Sequence, residues 1–426
     1  MDEQKQIDFL FEKFKNSTGV STDSRSIKPG MIYFALKGGN FNGNQFAKDA
    51  IEKGASLAVV DDPDMKGEQL FNVNNALECL QKLASFVRSK WSFPVLAIAG
   101  SNGKTTCKEL ISAVLSKKYN VFSTPGNFNN HIGLPLTILK VPDNCNFLVL
   151  EMGANHIGEH TFLCTIAQPN YGLVTNNGMD HLEGYGNLEN VIKSNVELID
   201  YVKSNKGKVF LNADDEQMIQ HSMGADVFSY GFDKKADFTA SRIDMDLFAA
   251  IKLDSQRINS NLVGKYNEIN ILAASAIGQY FEVDINSICS AIESYEPQLN
   301  RSQLIEFKNF KVMLDAYNAN PSSMHLAIKT IEESTFAKKM VILGGMLELG
   351  AFAKKEHKKI IDYLKTLKLD HIWLVGKEFS DFQNQDPIKY FESTEDCRNA
   401  FKSLEFENGV ILIKGSRKYQ LEKLIE

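Results

Sequence analysis

The sequence predicts an α/β protein of several domains built on mostly parallel sheets. Three observations carry that prediction. The chain has 426 residues, and at roughly 150 residues per domain that length suits two to three domains. Short, continuous apolar runs alternate with helical stretches, as they do when strands are buried on both faces by crossover helices. A glycine loop, Gly100-Ser-Asn-Gly-Lys-Thr-Thr106, separates one such run from a helical stretch, the context a phosphate cradle needs.

In chain order, Met31–Leu36 reads as a strand bounded by Pro29-Gly30 and Gly38-Gly39. Phe46–Lys53 reads as a helix stopped by Gly54, and Ser56–Val60 as a second buried strand. Trp91–Pro94 reads as a linker. A second unit opens with the Val95–Ala99 strand, the glycine loop and a helix through Lys117. Its later strands are Phe147–Leu150, Tyr171–Thr175 and Lys208–Leu211. Residues 225–262 alternate more and are expected to form an antiparallel extension. A third unit opens near Arg301, with strands at Lys311–Leu314, Met340–Leu343, His371–Val375 and Val410–Ile413.

Composition excludes several classes. Lys plus Arg is 47 against 53 Asp plus Glu, a net charge of -6, which argues against a nucleic-acid coat. The six cysteines form no C-x-x-C pair, so neither a zinc ribbon nor a redox motif is expected. The N-terminus is acidic and amphipathic and does not read as a signal peptide. No apolar run approaches about 18 residues, so no membrane insertion is expected. The expected compartment is the cytoplasm.

Chemistry concentrates at strand ends. In the glycine loop, Lys104 would neutralise phosphate charge and the Thr105 hydroxyl would ligate Mg²⁺; the competing reading is a glycine turn with an exposed lysine. The strict G-x-x-x-x-G-K-[ST] pattern fails, because its first glycine falls at Ile98. Glu151 directly follows a buried strand, which suits a Mg²⁺ ligand or a water-orienting carboxylate, or else a helix cap. His181 lies in a glycine-rich polar loop past another strand, and His131 in the amide-rich Gly126–Gly133 loop; each is a ligand or a structural histidine. Asp315-Ala-Tyr-Asn-Ala-Asn-Pro321 suits ribose or base contacts, or a turn. Arg301 suits a phosphate bridge between domains or plain surface. Lys414-Gly-Ser-Arg417 is a second anion site or a solvated basic turn. His156, His160, His221, His325 and His371 form no pattern. These features describe a multi-domain, Mg²⁺-dependent nucleotide-using enzyme and leave open what the phosphate energy drives.

Taken together, the motifs resemble the Mur ligases of bacterial cell-wall synthesis over nearly the whole chain. The segments are Ser21-Thr-Asp-Ser-Arg-Ser26, Gly100–Thr106, Asn127-Phe-Asn-Asn-His-Ile-Gly-Leu-Pro135, Glu151-Met-Gly153, His181-Leu-Glu-Gly-Tyr-Gly186, Tyr317-Asn-Ala-Asn-Pro321, Met346-Leu-Glu-Leu-Gly350 and Lys414–Arg417. The His-Leu-Glu-Gly, Tyr-Asn-Ala-Asn-Pro and Met-Leu-Glu-Leu-Gly segments point to the branch that adds D-alanyl-D-alanine. The resemblance implies three domains: a small α/β UDP-binding domain over 1–92, a P-loop ATPase-like parallel-sheet domain over 93–299, and a Rossmann-like lid over 300–426. It implies ATP and Mg²⁺, with UDP-MurNAc-tripeptide and D-Ala-D-Ala as substrates, joined through an acyl phosphate by a monomer. By the same resemblance Gly100, Ser101, Asn102, Gly103, Lys104, Thr105 and Thr106 hold ATP phosphates. Asn267 and Asn270 contact adenine, with Tyr266 where the family often has histidine. Arg301 and Asp315 contact ATP from the lid. Thr105, Glu151 and His181 hold metal, and Lys104, Glu151 and His181 carry catalysis. Ser24 and Arg25 contact the uridine diphosphate, and Asn130 and His131 lie in the substrate loop.

Three departures stand out. The family's carbamylated lysine, which helps hold a second Mg²⁺, corresponds to Asn195 in Lys193-Ser-Asn-Val-Glu197. Asparagine cannot form the carbamate. Either Lys193 substitutes, from about 200° around the helix, or the second metal is held differently. The family's Gly-Asp-Met has Gly345 for its aspartate, and its Asp-Gly-His is Asn42-Gly43-Asn44 here. Two alternatives accompany this expectation: a folylpolyglutamate synthetase-like ligase, disfavoured by the Ser21–Ser26 segment, and a catalytically weak nucleotide-binding homologue, motivated by Asn195.

Overall fold

The computed structural model describes residues 2–39, 41–297, 301–382 and 387–426. Four short parallel strands open the fold, in the order Val20–Ser21, Ile32–Phe34, Leu57–Val60 and Leu70–Asn72. The helix expected from Phe46 begins at Ala47, because Gly43–Phe46 winds as a 3₁₀ turn first. Helix Ala76–Arg88 is capped by the Asn75 side chain on the Glu78 amide. It buries Leu80, Leu83 and Ala84, three or four residues apart along one face. Its last residue docks on the next unit: the buried Arg88 guanidinium donates to the carbonyls of Ala167 (2.8 Å) and Gln168 (2.7 Å).

The second unit is a seven-stranded, wholly parallel sheet. Its order is Phe238–Thr239, Asp226–Gly231, Lys208–Asn212, Tyr171–Val174, Val95–Ala99, Phe147–Glu151, Val121–Ser123. The expected antiparallel extension is therefore corrected in part. Asp226–Gly231 pairs parallel with Lys208–Asn212, and both its faces are covered: Val227 packs on one core, Phe228 and Tyr230 on another. Within 225–262, antiparallel pairing is confined to a separate sheet of Ser241–Arg242, Phe248–Leu253 and Gln256–Val263. That sheet shares a core with helices Lys104–Leu115 and Glu268–Tyr280.

The third unit is a six-stranded sheet in the order Gln303–Phe307, Phe310–Asp315, Gly409–Lys414, Lys338–Gly344, His371–Val375, Ile388–Phe391. Only its first pair is antiparallel. Register sets Asp315 beside Lys414 at the C-terminal end. The apolar core of this unit takes in Leu182, Leu247 and Val263 of the second, so the two units pack directly on one another. Among the described residues no helix is long and apolar enough to cross a membrane.

Candidate active site

Strand order decides what meets. Val95–Ala99 lies between Tyr171–Val174 and Phe147–Glu151, so the three loops leaving their C-terminal ends converge. In parallel α/β sheets that end is where ligands bind. A cavity of about 640 Å³ opens there, walled on its far side by the third unit. It holds Ser101–Thr106, Asn130, Glu151, His181, Asn267, Asn270, Arg301 and Asp315 together.

The glycine loop uses a backbone that side chains would block. Gly100 has φ +127°, and a Cβ there would overlap Thr175 Oγ1. Gly103 has φ +78°, and a Cβ would come 2.9 Å from Asn270 Nδ2. The loop is pinned from behind: the Ser101 amide donates to Asn176 O (2.9 Å), the Asn102 amide to Asn176 Oδ1 (3.1 Å), and the Ser101 hydroxyl to Asp180 (2.8 Å). The Lys104 ammonium folds back onto the Gly100 and Ser101 carbonyls. Helix Lys104–Leu115 starts directly at Lys104, so its free N–H groups face the cavity, as anion binding requires.

Glu151 is 3% exposed and held at both oxygens. Thr105 Oγ1 donates to Oε2 at 2.8 Å, and Asn129 Nδ2 to Oε1 at 2.8 Å. The buried Lys108 ammonium lies 4.0 Å from Oε2 and donates to Thr124 O. These are hard oxygen donors beside a phosphate loop, the donor set Mg²⁺ takes when substrate phosphates complete its shell. Among the described residues no three His, Cys, Asp or Glu side chains cluster as a protein-only metal cage.

Asn195 is buried, and its amide donates to Asn177 Oδ1 at 2.8 Å. Lys193 points the other way, to solvent, paired with Glu189 at 2.8 Å. Of the two expectations, substitution by Lys193 fails for that helical reason. His181 has φ +44° and lies 2.8 Å through Nδ1 from Glu348 of the third unit. That hydrogen bond holds the Glu348 carboxyl below its ordinary range.

The third unit supplies the rest. The Arg301 guanidinium stacks 3.8 Å over the Tyr317 ring, and its buried Nε has no hydrogen-bond partner among the described residues. Asp315 accepts from the fully buried Lys414 ammonium at 2.5 Å. Lys414 is thus an internal counter-ion, and the nearby, exposed Arg417 pairs with Glu422. Asn320 bridges to Asn102 at 2.8 Å, and Ser322 Oγ accepts from the Met179 amide at 3.0 Å.

Other expected residues are tied into local hydrogen bonds or lie outside the cavity. Asn267 and Asn270 are buried and bonded to one another at 2.9 Å. Next to them, burial raises the Glu268 carboxyl to about 7, with Arg242 at 3.5 Å. Tyr266 donates to, or accepts from, Ser302 across the domain boundary. The Asn130 side chain caps the amides of Ile132 and Gly133. His131 is exposed and contributes its carbonyl to Gln81. Ser24 and Arg25 are on the first unit, outside this cavity; the exposed Arg25 holds Asp23 down at about 2. Asn44 bonds Asp61 at 2.7 Å, a structural use of the Asn42-Gly43-Asn44 departure. Sequence reading missed Asn129, Asp180, Glu348 and the buried His357. Asn129 and Glu348 lie inside quoted motifs and Asp180 directly before His181, whereas no local pattern signalled His357.

Comparison with known proteins accords with this geometry. Family models match end to end: "Mur ligase family, catalytic domain" over 16–88, "Mur ligase middle domain" over 98–278, and "Mur ligase, glutamate ligase domain" over 300–417. The UDP-N-acetylmuramoyl-tripeptide–D-alanyl-D-alanine ligase of Bacillus subtilis is 32% identical, covering 96% of this chain and 92% of its own. MurF from Acinetobacter baumannii superposes with a TM-score of 0.87 at 26% identity, over 99% of this chain and 97% of that one. MurF ligase from Thermotoga maritima, solved in complex with ADP, gives 0.85 at 26% identity over 96% of each chain. Matched in all three domains and about a third identical to a ligase along its length, the chain belongs to the Mur ligase family.

Proposed function

We propose that this protein joins D-alanyl-D-alanine to UDP-N-acetylmuramoyl-tripeptide at the expense of ATP, giving the pentapeptide precursor of peptidoglycan. The observation that carries the reading is one cavity holding the glycine loop, the Thr105–Glu151 pair and the Arg301–Asp315 wall together. A carboxylate is a poor electrophile, so it must first be activated. A carboxylate oxygen of the tripeptide attacks the γ-phosphorus, and ADP leaves. The dipeptide amine then attacks the acyl carbon, the C–O bond to phosphate breaks, and the amine loses its proton. Product is the amide plus inorganic phosphate.

In this reading the loop amides of Gly100–Thr106 and the Lys104 ammonium receive the β- and γ-phosphates, Lys104 leaving its own carbonyls to do so. Thr105, Glu151 and His181 hold Mg²⁺, which when bound supplies positive charge to the phosphate oxygens. Asn267 and Asn270 face adenine. Arg301, already stacked on Tyr317, contacts phosphate, and Asp315 the ribose. On the first domain, Ser24 and Arg25 contact the uridine diphosphate; Asn130 and His131 border the peptide. The lid spans 300–426, the ATP-binding domain 93–299 and the UDP-binding domain 1–92. The protein works as a monomer in the cytoplasm. Mass spectrometry of a reaction containing ATP, Mg²⁺, UDP-MurNAc-tripeptide and D-Ala-D-Ala tests the proposal. The expected product is the UDP-pentapeptide; accumulation of ADP with unchanged tripeptide counts against it.

A further inference from the structure

The contact between His181 and Glu348 crosses the domain boundary, and both residues carry unusual backbone. Each is a non-glycine residue at positive φ, +44° and +63° respectively. Such a conformation persists only where the surroundings impose it, and it concentrates at functional sites. Here the surroundings are specific. The Glu183 amide donates to Glu348 O at 2.9 Å. A Cβ on Gly350 would come 3.3 Å from Glu183 Cα, so the two loops lie in close contact. From the lid side, the Met346 amide donates to Nε2 of the fully buried His357 (2.9 Å), and the Leu347 amide to Ser416 Oγ (2.9 Å). His357 itself is fixed through Nδ1 on Ala353 O at 2.7 Å. The carboxylate is therefore presented from a braced loop.

We infer that Glu348 is a positioning residue: docked from the lid, it holds the proton of His181 on Nδ1 and leaves the Nε2 lone pair for the cavity. An imidazole takes the tautomer that its hydrogen-bond partner selects, and a carboxylate behind a ligating histidine orients the ring. The carboxylate and the histidine stand on different domains, so the ligand is set only when the lid is docked. Lid closure and assembly of the site become one event. The role of His181 as a ligand rests on the proposed function above; the tautomer does not.

The test separates the two. The full chain is labelled with ¹⁵N-histidine and its ring nitrogens are observed at about pH 8, above the ordinary histidine range. A His181→Gln variant identifies the resonance among the eight histidines. Wild type is expected to carry the proton on Nδ1, Glu348→Ala to move it to Nε2, and Glu348→Gln, whose amide oxygen still accepts, to keep it on Nδ1. Kinetically, Glu348→Ala should lower kcat about 10- to 100-fold while KM for ATP stays within about twofold, and Glu348→Gln should recover part of the loss. A wild-type proton on Nε2, or a resonance that Glu348→Ala does not move, overturns the inference. So does an unchanged kcat. If no variant ligates anything, the proposed function fails while the tautomer result still decides this point.

Discussion

Replacing Lys414 with methionine keeps the stem that fills its slot and deletes the ammonium. Lys414 is 1% exposed, its Nζ 2.5 Å from Asp315 Oδ2 and 3.2 Å from Asn318 O. Removing one partner of a buried pair costs about 3–5 kcal/mol, because the other charge is stranded. Asp315 borders the cavity and its side chain is 16% exposed, so water relieves part of that. An expected loss of about 2–3 kcal/mol follows. The C-terminal domain has its own reporter: Trp373 is buried in its sheet, and Trp91 is the second of the two tryptophans. Urea unfolding followed by Trp373 fluorescence in a Trp91→Phe background reads that domain alone. Asp315→Asn added to Lys414→Met should recover at least about 1 kcal/mol, because no charge is then stranded. Wild-type stability in Lys414→Met, or purely additive losses in the double variant, would refute the counter-ion reading.

Three further outcomes are expected. Gly100→Ala must place a Cβ 2.9 Å from the Thr175 amide nitrogen at φ +127°, so nucleotide affinity by calorimetry should fall at least about tenfold; unchanged affinity contradicts the loop assignment. Glu268 has its folded pKa raised from 4.5 to about 7. The folded state therefore binds that proton more tightly, and the contribution to stability falls as pH rises from about 4.5 to about 7. Glu268→Gln should be more stable than wild type at about pH 8, by up to about 3 kcal/mol, with the gain vanishing near about pH 4; denaturant titrations at both pH values check this. Lys193→Ala should retain activity within about twofold, since Lys193 is a solvated partner of Glu189, and carbon dioxide-free buffer should not slow the wild type; a bicarbonate-dependent rate counts against both.

Much of the fold was legible because parallel sheets write themselves as continuous apolar runs. Val95–Ala99 and Phe147–Leu150 were readable for that reason, and the glycine loop between strand and helix located the cavity. Peripheral strands were not: Asp226–Gly231 mixes polar residues into its run although Val227 and Phe228 pack against two different cores, and Ile388–Phe391 is short and interrupted by Lys389. The roles of Lys104, Glu151 and His181 were suggested by strand ends and by family resemblance. Their partners were not, because Glu348, Asn129 and Lys414 reach the site through tertiary packing that no local pattern encodes. The basic look of Lys414–Arg417 suggested an anion site, yet Lys414 is buried against Asp315 and the exposed Arg417 pairs with Glu422.

The most direct test of the account is phosphate release by wild type and by Lys104→Ala, with ATP and Mg²⁺ present and each of UDP-MurNAc-tripeptide and D-Ala-D-Ala withheld in turn. Release should need both substrates and fall at least about 100-fold in Lys104→Ala. Release that ignores the dipeptide, or that survives loss of the ammonium, would contradict it.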